Sequence, residues 1–574
     1  MKTKRGYRDL HEHIEALREA GLLVEVDRPI NKDTEMHPLV RWQYRGGIAE
    51  KDRKAFLFTN VIDSKGRKFD IPVLVCGLGG NPAIYEVGIG HPLDQVKDLW
   101  SRALNNPVAP KIIEGTEAPC QELVHQGAAL LDGHGLDDIP VPISTPGWDN
   151  GPYTSSSHFI TKDPDSGIQN VGNYRGQIKA PDRLGINTSV ELRTGGYLHW
   201  LKWKARGEPM PCAVVVGCPP IVSYGSVQKM PEDQDEMAVT GALAGAPIRM
   251  VAAKTVDLLV PADSEVVIEG FVDTEYLEPE GPFGESHGYI NLSEYNGFLD
   301  VTAITRRKDA IITSWMSQVA PSESSVIRRF AFEASQTRYL RDSLGIQGLI
   351  AVKAHENLTS LQRVVAIVFE RSAPRTEIWR AMYGIASFRQ AEGKWIIAVN
   401  DDIDPTNGDA LFWVMSYRVR PHRDVEILKN KHEGHGPRSQ VDSADSAVLI
   451  DATLKESYPP VALPKREYME AAAKIWDQLG LPALEPEAPW YGYDLGEWNE
   501  DFERMAQRAV KSGYGETGKI FAQRRRKDVA MTTEIRSLKD RDGDGDKGRA
   551  RGSGPPRPQL VSTAGTAFKS QSQG

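Results

Sequence analysis

Apolar and polar positions follow different periods in different parts of the chain. Near the start, Leu10, Ile14, Leu17 and Leu22 fall close to helical spacing, which predicts an opening helix. From about residue 135, period-two runs such as DSEVVIEGFVD and FLDVTAITRRKDAIITSW are separated by Gly and Pro. This alternation is typical of an antiparallel β domain, and we expect it to be barrel-like.

After about residue 330 the pattern changes to alternating strands and helices. The short apolar runs QGLIAVKAH, RVVAIVFE and KWIIAVNDDID alternate with helical patterns such as TEIWRAMYGIASFRQA. Such alternation predicts a mixed or parallel sheet with helices packed on it. Two amphipathic stretches, REYMEAAAKIWDQLG and DFERMAQRAVKSG, follow, and terminal helices of this kind often pack on a partner subunit.

The patterns together predict a multidomain protein of mixed α/β and β class. A chain of 574 residues is too long for one hydrophobic core, so two or three domains are expected. The predicted parts are an N-terminal α/β domain (1–130), a β domain (131–325), a C-terminal α/β domain (326–490), a terminal helical segment for oligomer packing (491–526) and a tail (527–574). The tail has too few apolar residues to order itself, so we predict that it is disordered.

Charge and cysteine usage exclude several classes of function. The formal charge of −9 gives no basic face for nucleic acid, so no nucleic-acid partner is predicted. No uninterrupted apolar run indicates a signal peptide or a membrane span, and a soluble cytoplasmic protein is expected. The cysteines show no CxxC and no paired metal spacing; we expect small buried residues in strands at Cys76, Cys120, Cys212 and Cys218.

Three local motifs look like functional sites but lack a required residue. After IPVLVCGLGGN, Pro82 stands where the dinucleotide fingerprint GxGxxG needs its third glycine. His11 and His13 lack the HExxH spacing of a metal site, so a solvated helix face is predicted for them. In the tail, Asp540 begins a run that looks like a calcium loop, but Arg551 replaces the glutamate at position 12.

The stretch EGPFGESHGY (280–289) carries two carboxylates, Glu280 and Glu285, on backbone rich in Gly and Pro. Two carboxylates buried close together cannot both stay ionised cheaply, so one pKa tends to rise into the range useful for proton transfer. A tight hairpin with two solvated acids is the alternative. In NVGNYRGQI (170–178), Arg175 offers a planar guanidinium that can bind a substrate carboxylate or Glu280 bidentately.

These motifs carry a resemblance to a known family. NxGxYR, followed about a hundred residues later by EGPFGExxGY and then by DDID (401–404), resembles the UbiD-type family of reversible decarboxylases. The resemblance covers roughly residues 5–525. It implies an N-terminal α/β domain, a central split β-barrel that binds cofactor and is related to flavin-reductase barrels, and a C-terminal α/β domain that hinges to close the cleft.

The resemblance also implies cofactors and partners. Family members bind prenylated FMN, with a divalent metal such as Mn²⁺ or Fe²⁺ and with K⁺ near the flavin phosphate. A separate flavin prenyltransferase supplies the modified flavin, which takes up the electrons freed as CO₂ leaves. We therefore expect a small carboxylic acid as substrate and a homodimer or homohexamer as the assembly.

Site residues are implied by position. Arg175, Glu280 and Glu285 match the catalytic Arg-Glu-Glu network of the family. In that scheme Arg175 positions the substrate carboxylate, and Glu285 is the general acid that protonates the carbon that lost CO₂. Asn170 and Glu236 match two metal ligands, and both supply the oxygen donors that a hard cation prefers.

The third metal ligand of the family is usually a histidine, but here its position falls on Arg193 or Thr194. Three explanations are open: His199 is the ligand, the metal binds weakly, or Arg193 pairs with the flavin phosphate directly. We favour the last two together and expect His199 to be an ordinary helix residue. Tyr174 and Lys394 are further candidates for cofactor contacts, although Lys394 is equally explained as a lysine that opens a strand.

The predicted function is reversible, non-oxidative decarboxylation of an aromatic or α,β-unsaturated carboxylic acid. The alternatives are a decarboxylase of an aromatic acyl-CoA such as phthaloyl-CoA, a non-catalytic flavin-binding subunit of a carboxylase complex, and an FMN reductase. A glycosidase also uses paired carboxylates, but no pattern here indicates a sugar cleft. Aromatic residues between positions 412 and 417 would suit an aromatic ring, although core packing is the commoner role on a helical pattern.

Overall fold

The structure, a computed structural model, describes residues 5–187, 194–228, 230, 234–355, 362–389, 392–432 and 444–524. The chain divides into two compact units, Met1–Gly496 and Glu497–Gly574. Arg193 and the predicted tail, including the calcium-like run from Asp540, lie outside the described residues. The fold combines helices with parallel and antiparallel sheets, which agrees with the predicted mixed α/β class.

The α-helices of the described residues are distributed along the whole chain. In chain order they are α1 (Leu10–Glu19), α2 (Met36–Arg45), α3 (Pro82–Ile89), α4 (Leu93–Asn105), α5 (Gly195–Arg206), α6 (Pro220–Ser226), α7 (Glu236–Ala244), α8 (Glu323–Arg338), α9 (Arg375–Phe388), α10 (Gly408–Arg418), α11 (Pro421–Asp424), α12 (Arg466–Gln478), α13 (Glu500–Val510) and α14 (Tyr514–Gln523). The last two belong to the second compact unit. Within the described residues no helix combines the length and the apolar content that crossing a membrane requires.

The strands are short in the first part of the chain and longer in the middle and at the C-terminal end. In chain order they are β1 (Leu23–Val26), β2 (Ile30–Asn31), β3 (Ala55–Phe58), β4 (Val61–Ile62), β5 (Lys68–Phe69), β6 (Val73–Val75), β7 (Lys111–Ile112), β8 (Leu123–Gln126), β9 (Tyr153–Thr154), β10 (Ser157–Lys162), β11 (Gln169–Asn173), β12 (Gly176–Ala180), β13 (Arg183–Ile186), β14 (Met210–Val216), β15 (Arg249–Ala252), β16 (Leu259–Pro261), β17 (Val266–Val272), β18 (Glu278–Glu280), β19 (Phe283–Gly284), β20 (Ile290–Asn291), β21 (Glu294–Arg306), β22 (Ile312–Ser314), β23 (Leu349–Ala354), β24 (Val364–Phe369), β25 (Trp395–Asn400), β26 (Val425–His432) and β27 (Ala444–Asp451).

The first sheet has the order β1-β3-β6-β22. Its last strand lies far along the chain, and Ile312 is the register partner of Val73. In the opposite direction, β8 pairs with β21 of the middle region. Strands are therefore exchanged in both directions across the boundary predicted at residue 130, and the N-terminal and middle regions share their sheets.

A ten-stranded sheet forms the middle of the protein. Its path runs β11-β10-β14-β17-β21-β13-β12-β9, with β18 and β8 both added on β21. The described strands form an open path rather than a closed barrel. Every residue of β14 is buried, as its continuous apolar run predicts for a central strand. The long strand β21 is the common neighbour of β17, β13, β18 and β8.

The C-terminal sheet has the order β23-β24-β25-β27-β26. The three central strands are parallel, and both outer strands pair antiparallel to their neighbours. Helix α9 connects β24 to β25 and buries Ile378, Met382 and Ile385. This arrangement confirms the mixed sheet predicted from the alternation after residue 330.

The aromatic positions on α10 differ from the expectation of core packing. Phe412 and Tyr417 are 70% and 69% exposed. The helix buries Leu411 and Val414 instead. Core packing is therefore wrong for these two rings, because they lie on the face of the helix that points away from the sheet core.

All four cysteines are buried free thiols, which confirms the predicted burial. Only Cys212 lies inside a strand, so the expectation of strand positions was wrong for the others. Cys76 directly follows β6 with a positive φ of 60°, and Cys120 lies in a short 3₁₀ turn.

Helix α1 places one of its two histidines in the core. The helix begins after Asp9, which accepts a hydrogen bond from Glu12 N as an N-cap. His13 is completely buried, and its Nε2 donates to the carbonyl of Gly77 at 2.6 Å. The predicted solvated face was wrong for His13, because its spacing from Leu10 puts it on the apolar side of the helix.

The first prediction concerns the stability of this buried histidine in acid. Burial lowers the pKa of His13 to about 4, whereas a histidine in the unfolded chain titrates near 6.5. As pH falls below that value the unfolded chain takes up the proton first, and the free energy of unfolding decreases until His13 titrates in the folded protein. Between pH 7 and pH 5 this loss amounts to about 2 kcal/mol.

A His13→Gln variant, whose amide can still donate to Gly77, should lose less stability in acid than the wild type by about that amount. Urea unfolding followed by tryptophan fluorescence at both pH values measures the difference. An equal acid-induced loss in the two proteins would contradict the assignment of a neutral, buried His13.

Candidate active site

The stretch from Glu280 to Asn291 forms two small ladders that hold its carboxylates in place. Glu280 ends β18 and lies opposite Glu294 of β21. The next residues form β19, which pairs with β20, and Glu285 N then donates to the carbonyl of Tyr289 at 3.0 Å. Gly281 has a φ of +93°, a conformation that favours glycine. This stretch therefore has the hairpin shape that the alternative interpretation predicted.

That alternative also expected both acids of the hairpin to be exposed to solvent, and they are not. Glu280 is 0% exposed and Glu285 only 9% exposed. Arg175 lies between β11 and β12. Its guanidinium group donates from Nε to Glu280 Oε1 at 2.9 Å and from Nη2 to Glu280 Oε2 at 2.8 Å. Its Nη1 forms an ion pair with Glu285 Oε1. One guanidinium thus binds both carboxylates, and the structure brings the three predicted residues into direct contact.

Glu280 is more fully enclosed than Glu285. Besides the bidentate contact with Arg175, Glu280 Oε2 accepts from Asn296 Nδ2 at 3.1 Å and from Asn187 Nδ2 at 3.5 Å. Glu285 Oε2 accepts from the neighbouring Ser286 N at 3.2 Å. Donors therefore hold both oxygens of Glu280, whereas Glu285 keeps a small exposed fraction.

Further polar groups position the backbone between the two acids. Asp149 accepts from Gly284 N at 2.8 Å, and burial raises the pKa of this carboxyl group. Asn150 Nδ2 donates to the carbonyl of Gly281 at 2.6 Å. Tyr153 accepts from Gly281 N at 3.0 Å and packs on Phe283 with ring centres 4.3 Å apart.

Sequence reasoning missed the residues that support the two acids. The stretch PGWDNGPY contains Asp149, Asn150 and Tyr153, but its Gly and Pro content indicated only a turn. Asn296 is the third residue of the long strand β21. A polar residue in the period-two pattern at position 296, on the buried side of β21, is the one signal that pointed to it.

Asn170 and Glu236 form a second polar cluster with Tyr174. Asn170 lies on β11, and Glu236 is the first residue of α7, where it accepts a hydrogen bond from Val171 N. Tyr174 accepts from Gly196 N at 3.3 Å and also bonds to the Asn170 side chain. Burial raises the pKa of Glu236 to about 8. The structure therefore brings these three predicted residues together.

Two buried atoms of this cluster have no hydrogen-bond partner among the described residues: Asn170 Nδ2 and Glu236 Oε2. A buried donor and a buried acceptor left open in one cluster suit a bound cation together with an anionic group. Across the described ranges there is no cluster of three or more His, Cys, Asp or Glu side chains positioned for a metal. A metal here would need ligands beyond these two side chains.

The remaining predicted site residues, His199 and Lys394, contact residues outside these two clusters. His199 lies in α5, as expected, with its Nδ1 2.9 Å from Thr161 Oγ1. Burial lowers the pKa of His199 to about 4. Lys394 immediately precedes β25 and forms an ion pair with Asp445 at 2.8 Å in the C-terminal sheet. The described contacts therefore connect Lys394 to that sheet and do not join it to the Arg175 cluster.

Two family models match the chain in sequence. The model described as the 3-octaprenyl-4-hydroxybenzoate carboxy-lyase Rift-related domain matches residues 111–319, and the C-terminal domain of the same carboxy-lyase matches residues 326–452. The chain belongs to the UbiD family. The resemblance predicted from the NxGxYR and EGPFGE motifs is thereby confirmed, and the protein is a UbiD-type carboxy-lyase by family.

Relatives of this UbiD-family chain match it along most of its length. An uncharacterized protein of Aquifex aeolicus (strain VF5) is 28% identical over 514 residues, covering 83% of this chain and 99% of that protein. The UbiD-class enzyme HmfF of Pelotomaculum thermopropionicum in complex with FMN is 25% identical, with a TM-score of 0.70, covering 81% of this chain and 100% of that one.

Two further solved structures are similar. An evolved dimeric form of the same HmfF, in complex with prFMN, is also 25% identical, with a TM-score of 0.67 over 79% of this chain and 97% of that one. Vanillic acid decarboxylase of Sedimentibacter hydroxybenzoicus in its closed form is 23% identical, with a TM-score of 0.70 over 83% of this chain and 100% of that one, and shows the shared fold.

The second prediction concerns the energetics of the buried ion pair. Glu280 is fully buried, so an Arg175→Met variant would leave its charge without a counter-ion. We expect this variant to lose about 3–5 kcal/mol in the free energy of unfolding. The double variant Arg175→Met/Glu280→Gln should recover part of that loss, because the uncompensated buried charge is gone.

Urea unfolding of the single and double variants measures both effects. Arg206→Met is the matched control, since its ion pair with Asp165 is exposed and should contribute less than about 1 kcal/mol. A double variant as unstable as Arg175→Met would show that the cost does not come from an unpaired Glu280.

Proposed function

We propose that the protein is a reversible, non-oxidative decarboxylase of an aromatic or α,β-unsaturated carboxylic acid that uses prenylated FMN. The observation that carries this proposal is the contact of one guanidinium, Arg175, with two buried carboxylates of unequal enclosure. Family membership and the FMN-bound and prFMN-bound HmfF structures support it. The ten-stranded sheet is then the flavin-binding split barrel of this proposal.

Arg175 binds and orients the substrate carboxylate in this mechanism. Its Nε and Nη2 are held by Glu280, so the guanidinium plane is fixed before substrate arrives. Nη1 faces Glu285, and an incoming carboxylate competes with Glu285 for this donor. Glu285 is then no longer paired with the Arg175 guanidinium and holds a proton more readily. Substrate binding itself therefore favours the proton-donating form of Glu285.

Glu285 is the general acid of the decarboxylation. Prenylated FMN supplies the site that takes up the electrons freed as CO₂ leaves. Glu285 delivers its proton to the carbon that lost CO₂, and in the carboxylation direction the same oxygen removes it. Glu280 keeps its bidentate contact with Arg175 and prevents the guanidinium from turning toward solvent.

Asn170 and Glu236 would hold a divalent cation such as Mn²⁺ or Fe²⁺ at the flavin phosphate. The open Glu236 Oε2 is an acceptor suited to the cation, and the open Asn170 Nδ2 is a donor suited to a phosphate oxygen. Tyr174 orients Asn170 through their side-chain hydrogen bond. We include K⁺ and Arg193 at the same phosphate in the proposal, and we keep Lys394, which pairs with Asp445, as a further candidate contact.

The contact geometry favours an active enzyme over a non-catalytic flavin-binding subunit. A binding subunit needs no buried proton donor beside an arginine, and the enclosure of Glu280 by four donors serves no purpose there. Supply of the flavin by a prenyltransferase and assembly as a homodimer or homohexamer complete the proposal.

The deciding experiment is co-expression with a flavin prenyltransferase, anaerobic purification, and an absorption spectrum with mass analysis of the bound flavin. Purified protein is then given a panel of aryl, heteroaryl, enoic and aryl-CoA acids, and CO₂ release is measured. We expect bound prenylated FMN and CO₂ release from at least one acid. NAD(P)H oxidation without CO₂ release, or protein that takes up no flavin, would overturn the proposal.

The third prediction tests the proton donor. A Glu285→Gln variant keeps the size and the hydrogen-bonding capacity of the side chain but cannot donate a proton to carbon. Turnover should fall by at least about a hundredfold while flavin binding stays unchanged. Glu275→Gln is the control, because this exposed residue lies outside the cluster. Retained turnover in Glu285→Gln would remove Glu285 from the mechanism.

The fourth prediction tests the cation site independently of turnover. Mn²⁺ in hundredfold excess over its Kd stabilises a protein by about 2.7 kcal/mol, which raises the Tm measurably. We expect this rise in the wild type and in the exposed control Glu208→Gln, and its loss in Glu236→Gln. The same Mn²⁺-induced rise in Glu236→Gln would place the cation elsewhere.

A further inference from the structure

A cavity of about 300 Å³ lies between α4, α8 and β23. Val96, Phe330 and Val352 form its apolar wall, and Asp94, Lys97 and Lys353 line its polar side. None of the three elements carries a residue of the Arg175 cluster or of the Asn170 and Glu236 pair. Its volume lies at the lower end of the range of small-molecule sites.

The charged groups of this cavity differ in how far they are satisfied. Lys353 Nζ forms an ion pair with Glu333 Oε2 at 2.7 Å, and the other oxygen of Glu333 accepts from Ala354 N at 3.2 Å. Thr337 Oγ1 donates to the carbonyl of Glu333 at 2.7 Å and accepts from Val352 N at 3.3 Å. These groups have their partners within the protein.

Lys97 has no such partner. Among the described residues its ammonium group makes no hydrogen bond and no ion pair within 4 Å, although the side chain is half-buried. Burial and the positive charges of Arg341 and Lys353 lower the pKa of Lys97, while the carboxylates of Asp98 and Glu333 partly oppose this shift. A half-buried cation that has no direct partner is stabilised by a bound anion.

We propose that this cavity binds a small organic carboxylate whose charged group is bound by Lys97 and whose apolar body lies against Val96, Phe330 and Val352. One available ammonium suits one carboxylate group, whereas a polyphosphate needs several cations. The apolar wall selects a ligand with a hydrocarbon or aryl body over an inorganic anion. A ligand in this position contacts α4 and the edge strand of the C-terminal sheet together.

Fluorine NMR titration of the full-length protein with 4-fluorobenzoate tests the site. The wild type and Lys65→Met, a variant at an exposed loop lysine, should bind the same number of equivalents. Lys97→Met, which keeps the length of the side chain and removes the charge, should bind one equivalent per chain fewer or bind it roughly tenfold more weakly. Asp94→Asn should bind more tightly, because a like charge has been removed from the cavity.

Each outcome supports or contradicts carboxylate binding at Lys97 without a measurement of turnover. An equal number of equivalents and an equal Kd in Lys97→Met and Lys65→Met would overturn the site, even if both proteins bind fluorobenzoate elsewhere. Inorganic phosphate should leave the Lys97-dependent equivalent bound. Displacement by an equal concentration of phosphate would overturn the assignment of an organic carboxylate.

Discussion

The bidentate contact between Arg175 and Glu280 is the interaction on which the candidate active site depends. A fully buried carboxylate is tolerated only when a cation and several donors surround it, and Arg175, Asn187 and Asn296 supply them. This requirement fixes the guanidinium plane, which in turn fixes the direction from which Glu285 reaches Nη1. The unequal roles proposed for the two glutamates follow from this enclosure, since residue type alone does not distinguish them.

The enclosure is possible because the sheet brings distant segments to one place. Arg175 follows β11, Glu280 ends β18, and Asn296 lies on β21, which is the neighbour of β18. The backbone between the two acids is then held from a third segment, where Asp149 and Asn150 bind Gly284 and Gly281. Rigid strands position the arginine and Glu280, and the short hairpin after them carries Glu285, the proposed proton donor.

Much of this arrangement could be predicted from the sequence. The hydrophobic periodicity distinguished the β region from the C-terminal α/β region. The NxGxYR and EGPFGExxGY motifs identified Arg175, Glu280 and Glu285. Asp149 could not be found in this way, because its role depends on loop contacts that carry no periodic signal. For Asn296 the period-two pattern indicated a buried polar residue but not its partner across the strands. The burial of His13 could have been predicted, since its spacing from Leu10 and Leu17 places it on the apolar face of α1. The exposure of Phe412 depends on which face of α10 the sheet covers, and that is decided by tertiary packing.

The return of β22 to the first sheet has a consequence for how the protein is made. Val73 pairs with Ile312, so the edge of the N-terminal sheet stays open until more than half of the chain has left the ribosome. Pairings between residues so far apart in sequence form slowly, and an unpaired strand edge invites association with other chains. The N-terminal region therefore cannot mature as an independent domain during synthesis, and a fragment that ends before Ile312 would expose β6 to aggregation.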